Sequence, residues 1–169
     1  MPINQALLGE FDYEMKGTRK ALERVPENKF DWAPHAKSMK FGRLAQHIAQ
    51  IPGWIKETIE RDSFDVAPGG QPPAPEPLHT TQELLTLFEK NVAAARKALA
   101  EATDDAHFMK TWTLLANGGP IFSMPRVQVL RGFVMNHMIH HRGQLTVYLR
   151  LNNVPVPSLY GPSADEGTF

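Results

Sequence analysis

Seven histidines and no cysteine set the chemistry open to this 169-residue chain. Without thiols it cannot build a disulfide scaffold, a thiolate zinc finger, an iron–sulfur cluster or a cysteine nucleophile. Metal or acid–base work therefore falls to imidazole and carboxylate. Three histidines stand together in the run Asn136-His137-Met138-Ile139-His140-His141-Arg142-Gly143-Gln144. On a helix at about 100° per residue, His137 and His141 lie roughly 40° apart and one turn apart along the axis, so both can approach one ion. Leu130, Val134, Leu145 and Tyr148 fall around this pair, whereas Arg131, Arg142 and Arg150 fall on the far side as an expected wetted face. A pair of His137 and His140 is also geometrically possible, pointing further off the apolar face.

His47 faces inward on another helix, beside Leu44, Ile51 and Trp54. A buried imidazole needs partners for both ring nitrogens, and three aimed into one core are hard to satisfy separately. A shared divalent ion takes one nitrogen from each and leaves the other for a carbonyl, carboxylate or water. Gln144, one turn beyond His141, is placed to hydrogen-bond that histidine or a substrate. His35, His79 and His107 fall in expected loops or element ends and are read as solvated, with His140 on the flank of the stripe.

Four long segments must position these residues. Leu8, Phe11, Met15, Thr18, Leu22 and Val25 form one helical stripe that Pro26 ends. The second helix is expected from Ser38, as N-cap, to about Asp62, kinked at Pro52-Gly53 and not divided there. Thr80 and Glu83 have capping-box spacing and open a third helix through Leu99. The fourth is expected from Ser123 as N-cap, with Pro125 in its first turn, to Leu151, where Asn152-Asn153 and Pro155 stop it. Residues 68–77 are so rich in proline and glycine that they can only be an irregular crossover. Residues 103–122, with Asn117-Gly118-Gly119, suggest a loop carrying a short hairpin. The tail beyond Asn153 reads as extended. The sum is one all-α domain over residues 1–169, a four-helix bundle with long crossover loops.

The 18 basic and 18 acidic side chains cancel, leaving no overall field to hold a phosphate backbone, so nucleic acid is not an expected partner. No apolar run approaches the roughly 18 residues of a membrane span, and the start of the chain lacks the features of a signal peptide. A cytoplasmic protein with a small-molecule substrate is the expectation. Trp32, Trp54 and Trp112 read as packing residues, since no basic stripe accompanies them.

The strings Leu44-Ala45-Gln46-His47-Ile48-Ala49 with Trp54, His137 to Leu145, Val154-Pro155 and Tyr160-Gly161 resemble the DinB-like (DinB/YfiT-like) metalloenzymes over nearly the whole chain. The resemblance implies an up-down-down-up four-helix bundle, a divalent metal on His47, His137 and His141, and a homodimer. It also implies a thiol-dependent S-transferase, supplied with an external low-molecular-weight thiol such as mycothiol or bacillithiol, or a hydrolase. The alternative class is a noncatalytic, metal-stabilised dimeric helical protein. Three neutral imidazoles leave the ion's charge uncompensated and a coordination position open, suiting either activated water on a carbonyl or an activated thiol on an electrophilic carbon. Imidazole suits zinc, nickel, copper and iron about equally, so the ligand type does not choose the ion; zinc or nickel is the first expectation, with iron or copper as alternatives. No general base stands out. Asp12, Glu14, Asp165 and Glu166 are carboxylates that the first helix and the tail could bring to the open end; Tyr160 is expected to pack, with covering the mouth of the site as the alternative, and Arg142 is close enough to hold an anion.

Overall fold

The computed structural model describes residues 1–168. Apolar residues at helical spacing account for its main elements. Helix α1 (Ile3–Leu22) buries Leu7, Phe11, Met15, Thr18 and Leu22 on one side, and Val25 packs into the core just past its end. Helix α2 (Phe41–Gln50) buries Phe41, Leu44, Ala45, Ile48 and Ala49. Its N-cap is Lys40, two residues later than the expected Ser38.

The proline in the second segment does more than kink it. Ile51 and Pro52 keep right-handed helical dihedrals, but the chain divides here into α2 and a separate α3 (Gly53–Glu60). Proline brings no N–H to the ladder and crowds the preceding turn. Two tightened bonds, from the Trp54 amide to the Ile51 carbonyl at 3.0 Å and from the Ile55 amide to the Pro52 carbonyl at 3.2 Å, bridge the break. Helix α4 (Thr81–Glu101) begins with both hydrogen bonds of the capping box between Thr80 and Glu83, and a short α5 (Asp105–Met109) follows it. It packs along α1, α2 and α3, while the C-terminal helix packs on α1 and α2.

A small sheet corrects the all-α expectation. Strands β1 (Ser63–Asp65), β2 (Thr111–Ala116) and β3 (Gly119–Pro125) lie in that order, β1 parallel to β2 and β2 antiparallel to β3. The β2–β3 hairpin turns through Asn117 and Gly118, both at positive φ (50° and 76°), as a two-residue hairpin loop requires. The Asp65 carboxylate accepts from the amides of Ala67, Asn117 and Gly118, which ties β1 to that turn. These three backbone donors hold the Asp65 carboxyl below its ordinary pKa. Trp112, Leu114 and Val129 form a second, smaller apolar cluster under the sheet.

The sheet also moves the start of the last helix. Ser123 and Pro125, expected as its N-cap and first turn, belong to β3, where Ser123 meets Thr113 across the strands at 2.8 Å. A short helix α6 (Arg126–Gln128) follows the strand, then a π-helical stretch over Val129–Met135, then α7 (Asn136–Leu151). Between β1 and α4 a 3₁₀ turn at Pro68–Gly70 leads into an irregular crossover, pinned where Gln46 donates to the Glu76 carbonyl at 2.7 Å. The chain is thus mostly helical (57%) with a three-stranded sheet. Among the described residues, no helix is long and apolar enough to cross a membrane.

Candidate metal centre

His47 sits near the C-terminus of α2, and His137 and His141 occupy successive turns of α7. The packing of α7 against α2 brings the three rings together. The Nε2 atoms of His47 and His137 are 3.4 Å apart, and those of His137 and His141 2.8 Å. One nitrogen from each of the three lies within 4.8 Å of the others, so the group could hold a metal ion. Metal–nitrogen bonds of about 2.0–2.1 Å place two ligand nitrogens about 3.3 Å apart at a tetrahedral angle and about 2.9 Å apart at a right angle. The observed separations match that scale.

All three rings favour the neutral, ligand-competent form. Burial pushes His47 down to about 4, reinforced by the charges of His141, His137 and Arg43. Burial also lowers His137, followed by His141 and His140, and it lowers His141 against the opposing effect of Gln144. The Gln144 carbonyl faces His141 Nδ1 at 2.7 Å, making Nδ1 the protonated nitrogen and leaving the Nε2 lone pair for the centre. His137 Nδ1 is buried without a well-formed hydrogen bond, although the Phe133 carbonyl one turn back still favours its protonated form. His140 is exposed and outside the cluster, which decides between the two spacings.

The surroundings are aromatic. Trp54 lies edge-on to His47 with ring centres 5.7 Å apart and stacks on Phe133 at 5.6 Å and 17°. Both rings also flank His137, and Phe122 of β3 supports Phe133 at 5.2 Å. Trp54 is therefore a wall of the centre as well as a packing residue. Phe133, in the π-helical stretch one turn before His137, would also fall about 40° from that histidine on a regular helix, at the edge of the stripe defined by Leu130, Val134, Leu145 and Tyr148. Neither of two surface hollows, of about 200 and 340 Å³, is lined by a residue of the cluster. The donor set, not concavity, marks the site.

None of the four carboxylates considered as a base is free. Asp12 pairs with Arg96, Asp165 with Arg150 and Glu166 with Arg24. Glu14 forms a buried pair with Arg142, Oε2 to Nη2 at 2.6 Å. Arg142, expected on a wetted face, is only 2% exposed because α1 and the tail close over it. Its guanidinium also donates to the Glu14 carbonyl, the Thr18 hydroxyl and the Tyr160 hydroxyl, and Tyr160 donates in turn to Glu14. A Cβ on Gly17 would stand 3.1 Å from that guanidinium, so the close approach of α1 depends on glycine. Tyr160 therefore caps the Arg142–Glu14 pair, and burial, then Glu14, raises its pKa. Arg131 and Arg150 remain paired nearer the surface. His35 and His79 are exposed as expected, whereas His107 is half-buried with Nε2 2.8 Å from the Ile59 carbonyl.

A mostly helical chain with three inward histidines able to share one ion is the class of protein that fold and site define. The chain belongs to the DinB family, which it matches over residues 1–168. It is 26% identical over 159 residues to the uncharacterized protein YrdA of Bacillus subtilis (strain 168), spanning 94% of this chain and 89% of that one. In fold it is similar to a DinB-like protein from Bacillus cereus ATCC 10987, with a TM-score of 0.67, 20% identity, and coverage of 92% of this chain and 97% of the other. It is also similar to the DinB-like protein YjoA from Bacillus subtilis, with a TM-score of 0.65, 18% identity, and coverage of 89% and 95%.

Proposed function

We propose that His47, His137 and His141 hold a divalent ion, zinc or nickel foremost, and that the protein is a metal-dependent, thiol-using S-transferase acting on a small electrophile. The observation that carries this reading is the convergence of three imidazole nitrogens, all biased toward the neutral form. An ion held by three neutral ligands would supply Lewis acidity, enough to deprotonate a coordinated thiol and to bring coordinated water to a pKa of about 7. The chain's own residues do the rest. Gln144 fixes the His141 ring by accepting from Nδ1, and Trp54 and Phe133 keep one side of the centre dry. The engagement of Asp12, Glu14, Asp165 and Glu166 by arginines favours thiol transfer over hydrolysis, because a thiol that the ion deprotonates outright depends less on a carboxylate base than water that the ion acidifies only to the neutral range.

The same reading takes the structure as an up-down-down-up four-helix bundle, supported by the mutual packing of α1, α4, α2–α3 and α7. It also takes the protein to be a cytoplasmic homodimer, in keeping with the exposed Val147 and Leu151 on α7. The test is metal analysis of untagged protein beside His47→Ala and His141→Ala. It is followed by thiol consumption with bacillithiol, mycothiol and glutathione against a panel of electrophiles, and by ester and amide hydrolysis. About one ion per chain, lost in both variants, with thiol consumption only in the loaded protein, is the expected result. Equal and negligible metal in all three proteins removes the site. Turnover of esters alone converts the reading to a hydrolase, and silence in both panels with metal bound converts it to a metal-stabilised binding protein.

A further inference from the structure

Arg43 lies one turn before His47 on α2, and its guanidinium is drawn along the helix past that histidine, Nη1 reaching 3.5 Å from the Gln50 side-chain oxygen. Positions 43, 47 and 50 share one stripe of the helix. The Arg43 side chain is exposed, and no carboxylate meets it among the described residues. That sets it apart: the other eight arginines each stand within ion-pair distance of an aspartate or glutamate. A cation in this place opposes protonation of His47 and binding of a positive ion alike, so for the centre alone it is a liability. Its position makes sense when the bound molecule brings negative charge.

We propose that Arg43 is a specificity residue, the anchor for the anionic group of an acidic small molecule whose reacting atom lies at the three-histidine centre. The inference rests on the metal reading above and adds the charge of the ligand. The ligand class is a thiol or electrophile carrying a carboxylate, phosphate or sulfonate several bonds from its reacting atom. Arg43 offers a planar fork of N–H donors suited to such oxyanions, while the aromatic neighbours Trp54 and Phe133 offer the remainder of the ligand only apolar surface.

The test uses the full chain loaded with cobalt(II), whose absorption reports both metal occupancy and thiolate coordination. The probes are 3-mercapto-1-propanesulfonate and 3-mercapto-1-propanol, matched in length; the sulfonate is a weak metal ligand and so reports on the protein. Wild type is expected to prefer the sulfonate by about 5-fold at low salt, a preference that shrinks as salt is added, as for an exposed charge pair. Arg43→Gln is expected to bind cobalt at least as tightly as wild type and to bring the two thiols within about 2-fold of each other, and Arg43→Lys to keep most of the preference. Cobalt binding without a preference for the sulfonate, or a preference that survives in Arg43→Gln, overturns the proposal and leaves the metal reading standing. Failure of wild type to bind cobalt overturns both.

Discussion

Replacing Gln144 by alanine is expected to weaken the metal centre without touching the fold. Gln144 is exposed, makes no contribution to the core, and contacts the centre through one hydrogen bond of 2.7 Å to His141 Nδ1. That bond holds the His141 tautomer with its Nε2 lone pair toward His137, 2.8 Å away. A neutral hydrogen bond contributes about 0.5–1.5 kcal/mol net, or roughly 2- to 12-fold in affinity. Partners that orient a metal-bound histidine contribute about 10- to 100-fold in other metal sites. The exposure of Gln144 to competing water places the expectation where the ranges meet, at about 10-fold. Gln144→Glu, which accepts the same bond with a full negative charge, is expected to restore or exceed wild-type affinity. Competition titration with a chromophoric zinc chelator reads the affinity, and thermal unfolding of the metal-free proteins checks the fold. Zinc affinity within about 2-fold of wild type for Gln144→Ala, with His141→Ala strongly impaired, would refute the tautomer argument.

Two further outcomes follow from buried charge. Glu14→Ala strands the Arg142 guanidinium in a pocket where it is 2% exposed, and a loss of about 3–5 kcal/mol is expected in urea unfolding, largely recovered by the apolar double replacement Glu14→Leu with Arg142→Met. In metal-free protein, His47 has a pKa of about 4 against an ordinary 6.5, so the unfolded chain binds the extra proton across that interval. Stability is then undiminished by this group above pH 6.5 and declines as pH falls toward 4, by on the order of 2 kcal/mol once solvent screening of a half-buried ring is allowed for. Urea titrations from pH 7 to 4 are expected to show a shallower decline for His47→Gln; an identical pH profile would exclude His47 as a source.

The deeper connection between fold and site runs through the elements that looked least functional. The hairpin supplies Phe122, which supports Phe133, which stacks on Trp54 beside His47 and His137. The break at Pro52 belongs to the same set, since it ends α2 soon after His47 and begins the α3 that carries Trp54. The tail does comparable work on the far side of α7, where Tyr160 closes over Arg142 and Glu14. Arg142 and His141 are adjacent in the chain yet serve different tasks, one locking α7 to α1 and the other facing α2.

The histidines were legible because the regular helix carries its own geometry. A four-residue spacing on an apolar stripe places His137 and His141 together wherever α7 lies, and the inward phase of His47 follows from Leu44, Ile51 and Trp54 at helical spacing around it. The capping box at Thr80 and the turn at Asn117-Gly118 are local in the same sense, each satisfied within a few residues. The strand character of Ser123–Pro125 was not legible, because a serine before a proline suits a helix start as well as an edge strand, and only pairing with Thr111–Thr113 decides between them. Strand β1 depends in the same way on residues some fifty positions away. Burial of Arg142 was invisible for a related reason: a helical wheel gives direction but not what waits there, and here the waiting partner is Glu14. By itself the sequence determined the donor set and the helix phases, which depend on contacts a turn apart. The tertiary structure alone decided which carboxylates are taken, which rings wall the centre, and which arginine beside it stands without a carboxylate, since each depends on chain segments brought together only by folding.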